Sequence, residues 1–432
     1  MSFPSAFLPV PPDPASRQPF TTTAFLPLFS LHYVLAVLAI LPRTFVLKLA
    51  LLPIILWKAW TCAVGFDLGA ALANLFGLES SDRVRHFNFM FVVRFYERAY
   101  SPFPLTIAQV GLIDMALRSV SWTFASKPLR RYNPPIEGQH APIERPLSIP
   151  NVLLDALDLI CNLRGIGWSW SCKPFPSMTT RSTSIPVIAA KLLFKLVVFD
   201  ASQYLVQYFR PTVDFPAGDT LFDPTLSMVP RCAWAIFYTF FGCIVVFVTV
   251  DVAYHMSTLI GRILLRQSAW QWPPLFDRPW TSTSITDWWG FRWHQLFRQV
   301  FIDFGSQPGR VLLGRPGALV GAFATSGALH DLGMWGLGRG TEFSTVGGFF
   351  LFMGVGATLE HGFKKVTGRR VCGFWGWAWT MVWTIGWGSL MIDAWARRGM
   401  IAADFFPQRL RPGKSLVDAV ILLSQRESNI HS

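Results

Sequence analysis

The sequence predicts an all-α fold: a polytopic integral membrane bundle of about eight transmembrane helices. Three observations carry this. Of 432 residues, 52% are hydrophobic and only 15% are charged, whereas soluble domains average about 25% charged. The deficit is concentrated, because stretches 18–42, 232–250, 316–330, 343–359 and 371–392 hold no Asp, Glu, Lys or Arg. Runs of about 18 apolar residues are long enough to cross a bilayer as helices. The net charge of +13 lies mostly in loops between those runs, which is the positive-inside pattern of membrane proteins.

Taken in order, residues 1–22 form a Pro-rich, disordered tail. The first twenty residues hold six prolines and one basic residue, Arg17, unlike the basic start and apolar core of a signal peptide. The first span is therefore expected to act as an uncleaved signal anchor. Spans are predicted near 23–41 and 44–60, the second with Lys48 snorkelling outward. A weaker apolar helix follows over 61–78, then a short or interfacial one over 103–122. Residues 123–184 are the longest polar segment, with basic residues from Lys127 to Arg181. The charge rule assigns this loop to the cytosol. Further spans are expected at 185–207, 231–252, 316–338, 343–361 and 371–395. The loop between the last two carries Lys364, Lys365, Arg369 and Arg370, a second cytosolic mark. Residues 397–432 form a polar tail, with an amphipathic stretch at 415–424.

Composition also narrows the partners. In a membrane setting the basic excess suits the lipid bilayer and a phosphorylated cofactor better than nucleic acid. Nineteen tryptophans fit enrichment at membrane interfaces. Six scattered cysteines without C-x-x-C spacing read as thiols rather than a disulfide or zinc framework. No metal site is expected.

Two places could carry chemistry. His330 lies inside an apolar run, where an ionisable side chain is costly and marks a functional site by default. Its helical i±3 and i±4 neighbours are Ser326, Gly327, Gly333 and Met334, a small and partly polar face. Asp331, one step round, could orient the imidazole or lie in a polar channel. Neutral imidazole is a natural general base near pH 7. A histidine bonded between helices is the competing account. The second place is Asp287-Trp-Trp-Gly-Phe-Arg-Trp-His-Gln-Leu-Phe-Arg298. Arg292 and Arg298 have the guanidinium forks that suit phosphates, His294 adds a second titratable group, and Trp289 and Trp293 supply rings. An interfacial Trp belt with snorkelling arginines explains the same composition.

Together with Ser326-Gly-Ala-Leu-His330-Asp, this cluster resembles the wax-synthase-like branch of the membrane-bound O-acyltransferase superfamily. Fungal members show an F-W-x-R-x-W-H-Q element, matched here by Trp289-Gly-Phe-Arg-Trp-His-Gln295, with Trp288 where Phe is common. Arg164-Gly-Ile-Gly-Trp-Ser-Trp170 is similar to a further R-G-x-G-W-x-W element of those members. The resemblance implies acyl transfer from acyl-CoA to a hydroxyl, with no permanently bound cofactor. It makes His330 the catalytic histidine. His294 stands where many relatives have asparagine, so its role is open between polarising the thioester, donating to the oxyanion and shaping the pocket. It further implies Arg292, Arg298, Trp289 and Trp293 on the acyl-CoA side, the arginines near the cytosolic face. Ser326, Asp331 and Met334 line the substrate pocket on this reading. The acyltransferase domain is expected over 23–396, with a wax-synthase-like core at 260–361. The Pro-rich lead, the long basic loop and the R-G-I-G-W element look most like fungal acetyltransferases of terpenoid or meroterpenoid metabolism. A long-chain alcohol acyltransferase is the alternative. An endomembrane such as the endoplasmic reticulum is the expected location.

Other readings fit less well. Asn151-Val-Leu-Leu-Asp155-Ala-Leu-Asp158 suggests the N-x-x-x-D element of membrane prenyltransferases, yet Asp214 and Asp219 lack helical spacing for a second carboxylate element. A helix capped at Asn151 with solvated Asp155 and Asp158 is the plainer account. The eight histidines form none of the boxes of a di-iron oxygenase. A transporter remains as the non-enzymatic alternative, although no internal repeat is visible.

Overall fold

The computed structural model describes residues 17–67, 111–134, 142–171, 183–215, 217–336, 340–402, 406 and 411–430. The chain is mostly helical. In order, the long helices are α1 (Thr22–Ile40), α2 (Phe45–Gly65), α3 (Leu112–Thr123), α4 (Ile149–Cys161), α5 (Ile185–Phe209), α6 (Met228–Ile263), α7 (Gln307–Gly336), α8 (Val346–Thr367), α9 (Gly373–Ala396) and α10 (Pro412–Ile430). Strands are two-residue pieces: Gln18–Pro19 pairs in parallel with Phe66–Asp67, and Tyr132–Asn133 pairs antiparallel with Ile143–Glu144. Most of the N-terminal tail and of the 61–102 region lies outside the described residues.

Among the described residues, three helices are long and apolar enough to cross a membrane: Thr23–Ile40, Phe45–Gly65 and Met228–Ile263, with mean hydropathies of 2.0, 1.6 and 2.2. One side of α2 presents Val46 (75% exposed) and Trp57 (64%) away from the protein, as a lipid-facing surface requires. Helices α7 and α8 are rich in Gly and α9 in Gly and Trp, uncharged residue types that lower hydropathy.

Three expectations fail in the structure. Lys48 does not snorkel. It is buried, and its Nζ donates to the Trp122 carbonyl at 2.8 Å. The last carbonyls of α3 form the negative end of that helix, a natural receptor for an ammonium. The polar loop also holds a real helix, α4, capped by Ser148 rather than Asn151. Asp155 and Asp158 are not solvated: Arg145 binds the first at 2.6 Å and Arg131 the second at 2.5 Å, both carboxylates being buried. Spacing alone gave them an exposed face; the returning strand pair supplied the arginines.

Two hydrophobic cores form. One gathers α1, α2, α3 and α4 with Leu329 and Trp335 of α7. The other gathers α5, α6, α8 and α9 with Met334 of α7. Helices α6 and α7 each contribute to both cores, α6 through Val250 and Tyr254 in the first and Ala235 and Tyr238 in the second.

Candidate active site

The Trp-rich segment is irregular, and its irregularity is built. Ser284 caps a single α-turn by accepting from the Asp287 N–H at 3.0 Å. The backbone then widens into a π-helical turn over Trp288–Arg292, closed by Trp293 N–H donating to the Trp288 carbonyl at 2.7 Å. Such bulges displace the following side chains by one position and recur at functional sites. Glu360 of α8 anchors the start of the segment. Its carboxylate accepts from Ile285 N–H (2.5 Å), Thr286 N–H (3.0 Å), the Thr286 hydroxyl (2.8 Å) and the Trp379 indole (3.1 Å). Gln295 braces the end, donating to the Trp289 and Trp293 carbonyls at 3.1 and 2.7 Å. Arg298 donates to the Gly290 carbonyl (2.8 Å) and to Gln295 Oε1 (2.7 Å). Arg292 is ion-paired with Asp287 at 2.6 Å and donates to the Asp277 carbonyl and the Thr281 hydroxyl.

Beyond Arg298 the chain folds into a tight helical hairpin. Gly314 makes the reversal with φ +65°, a region that other residues enter at a cost. The two arms then touch backbone to backbone: a Cβ on Gly305 would collide with the Gly321 carbonyl. This contact fixes the returning arm, which carries His330, against the segment that carries His294.

The result is one cavity of about 260 Å³ lined by both histidines. Trp289, Trp293, Arg298 and Ser326 share its wall. His330 Nδ1 lies 2.7 Å from the Ser326 carbonyl. A carbonyl can only accept, so Nδ1 carries the proton and Nε2 is the basic nitrogen of neutral His330. The Phe350 ring lies 4.5 Å from the imidazole, centroid to centroid, and holds its plane. Among the described residues, the buried indole N–H of Trp289 and Nε of Arg298 have no hydrogen-bond partner.

Three expected site residues lie outside this lining. Arg292 is on the outer side of the segment, bonded as above. Asp331 is buried, accepts from the Glu342 N–H at 2.6 Å and so fastens the loop after α7. Burial pushes the Glu342 carboxyl up, but Arg397, Thr345 and Arg398 outweigh it and hold it below the usual range. Met334 is fully buried in the second core. Conversely, Thr286, Gln295, Phe350 and Trp395 line the cavity without having been singled out. Gln295 was inside the quoted motif and Thr286 directly precedes it; Phe350 and Trp395 come from α8 and α9, whose approach only the fold supplies.

The R-G-I-G-W element lies apart from the cavity. Arg164 donates to the carbonyls of Pro273 (2.9 Å) and Pro274 (3.3 Å). Trp168 is fully buried, its indole donating to Asp158 at 2.7 Å. The element clamps the 272–280 strap rather than facing the histidines.

Comparison with known proteins adds a separate line of evidence. Residues 272–352 match the model of the membrane bound O-acyl transferase family. The chain is 30% identical over 137 residues to a long-chain-alcohol O-fatty-acyltransferase of Simmondsia chinensis, covering 30% of this chain and 38% of that protein. It is 27% identical over 255 residues to acetyltransferase ple2 of Rhodocybe pseudopiperita, covering 55% and 64%. It is 25% identical over 197 residues to the O-mevalon transferase macI of Penicillium terrestre, covering 43% of each. The matched regions thus span less than two thirds of these relatives. The stretch that folds around both histidines is similar to the membrane-bound O-acyltransferases, and the wider chain resembles wax-synthase-like and fungal acetyltransferase members.

Proposed function

We propose that this protein is a membrane O-acyltransferase that moves an acyl group from acyl-CoA to a hydroxyl of a lipophilic acceptor. The observation that carries this is the convergence of His330 and His294 on one cavity inside a region similar to that family. His330 Nε2 takes the proton as the acceptor oxygen attacks the thioester carbon. The tetrahedral oxyanion is met by His294 or the Trp289 indole. As the intermediate collapses the C–S bond breaks, and CoA leaves as a thiolate that receives the proton from His330. No acyl-enzyme is needed. Arg298 and, further out, Arg292 are assigned to the donor side, with Trp289 and Trp293 packing the acyl group.

Within this reading we favour acetyl as the acyl group and a terpenoid or meroterpenoid alcohol as the acceptor. The small cavity, about 260 Å³, supports a short acyl group, since drug-sized ligands occupy about 300–1,000 Å³. The fungal relatives named as acetyltransferases point the same way. Long-chain alcohol acylation is the second reading, favoured by the similarity to the Simmondsia enzyme. We assign the chain an eight-span bundle in an endomembrane such as the endoplasmic reticulum, with 23–396 as the catalytic domain. The test is incubation of membranes bearing the protein with labelled acetyl-CoA or palmitoyl-CoA and panels of terpenoid and long-chain alcohols, read by mass spectrometry. Acetyl esters of terpenoid alcohols are expected. Exclusive formation of wax esters would transfer the assignment to the second reading, and no ester from any pair would overturn both.

A further inference from the structure

We propose that a second cavity, beside the histidine cavity, holds the phosphate-bearing nucleotide end of the acyl-CoA donor; this rests on the acyltransferase reading above. The cavity has a volume of about 710 Å³ and lies between α5, α6 and the 269–280 strap. That volume suits a coenzyme-sized ligand, whereas the histidine cavity, at about 260 Å³, suits only the reacting end. The charged lining is cationic: Lys191, Lys195, Arg262 and Arg278 face one carboxylate, Asp251.

That carboxylate is already neutralised. Lys195 forms an ion pair with it, and His255 Nδ1 lies 3.3 Å from its other oxygen. Lys191 makes no ion pair or hydrogen bond among the described residues and is exposed. Arg278 is 72% exposed, with an equally exposed Asp277 at 3.6 Å. Arg262 uses one guanidinium nitrogen on the Thr183 carbonyl. Three cations in the lining of one cavity thus keep donor capacity, and guanidinium and ammonium groups recognise phosphate oxygens. A neutral alcohol gains nothing from such a lining, while CoA carries several phosphate charges. Arg292 and Arg298 are partly engaged within the Trp-rich segment, Arg292 with Asp287 and Arg298 through one nitrogen with the Gly290 carbonyl and Gln295.

A chain of ring contacts runs from one cavity to the other. Phe247 and Phe276 line the larger one and lie 4.5 Å apart by centroid. Phe276 in turn lies 5.0 Å from Trp293 and 5.8 Å from His294, both in the wall of the smaller one. The slender pantetheine arm would follow these rings and bring the thioester to His330 while the nucleotide stays behind.

The experiment compares two donors in the Lys191→Gln/Arg278→Gln double variant, both side chains being exposed. Its KM for acetyl-CoA should rise about tenfold or more. Its KM for acetyl-pantetheine, which lacks the nucleotide phosphates, should stay at the wild-type value. Calorimetric Kd for CoA on the purified protein should rise in parallel. Unchanged KM and Kd for the CoA species would overturn the proposal. So would a rise confined to the acceptor KM, which would mean that the cations read an acidic acceptor. Failure of the wild type to use either thioester would count against the acyltransferase reading itself, and CoA binding would still decide the site.

Discussion

His330 sits between a hydrogen bond that fixes its tautomer and a ring that fixes its plane. Both constraints serve a base and neither is needed by a merely structural histidine in a gap. His330→Ala is therefore expected to lower kcat by about 100- to 10,000-fold, with expression and thermal stability close to wild type. Turnover at the wild-type rate would remove His330 from the mechanism. His294 allows a finer test, because it shares the cavity wall. Asparagine also donates through an N–H. His294→Asn should keep most activity if the residue serves as a donor, and His294→Ala should lose it; equal losses in both would point to imidazole chemistry. At this scale the sequence was informative where a polar group interrupts an apolar run, as with His330. It was uninformative about Asp331 and Met334. Their helical spacing places them beside His330, yet the loop that returns to Glu342 claims the first and the second core claims the other.

The long apolar helices were legible in type, since apolar run length reports helix length, whereas α4, inside a polar loop, and the helical arm before Gly314 were not. The Trp-rich segment was legible as a motif but not as a shape. A π-helical turn has no simple periodic signature, and its anchor, Glu360, is distant in sequence and looks like an ordinary polar residue at a helix end. Glu360 satisfies two backbone donors at the start of the segment. Glu360→Ala would leave buried N–H groups without an acceptor, at roughly 1–3 kcal/mol each. It should therefore lower both the Tm in detergent and kcat, because the segment positions His294. Glu360→Gln, which keeps one acceptor oxygen, should fall between. A variant with wild-type Tm and kcat would show that the segment holds its shape without this anchor. The glycine contact between the hairpin arms predicts a related loss: Gly305→Ala must push the arms apart against the Gly321 carbonyl, and should reduce activity while the remaining helices persist by circular dichroism.

At the scale of the molecule, α7 joins two cores, so the site depends on how both are held in the bilayer. Sequence charge predicts the orientation, with the 364–370 loop on the cytosolic side. The structure adds which other parts share that side. The Trp377 indole donates to the Trp280 carbonyl at 2.9 Å, which puts the 266–290 strap and the mouth of the larger cavity at the same end as Lys364 to Arg370. Cys372 is exposed there, while Cys232 lies at the far end of α6, whose 36 residues span about 54 Å. A chain keeping Cys372 as its sole cysteine should react with a membrane-impermeant maleimide added to sealed microsomes, whose outer face is cytosolic. A chain keeping only Cys232 should react after permeabilisation. The reverse pattern would turn the basic strap toward the lumen, away from the cytosolic supply of acyl-CoA. It would then separate the donor from both cavities and count against the direction of acyl transfer proposed here.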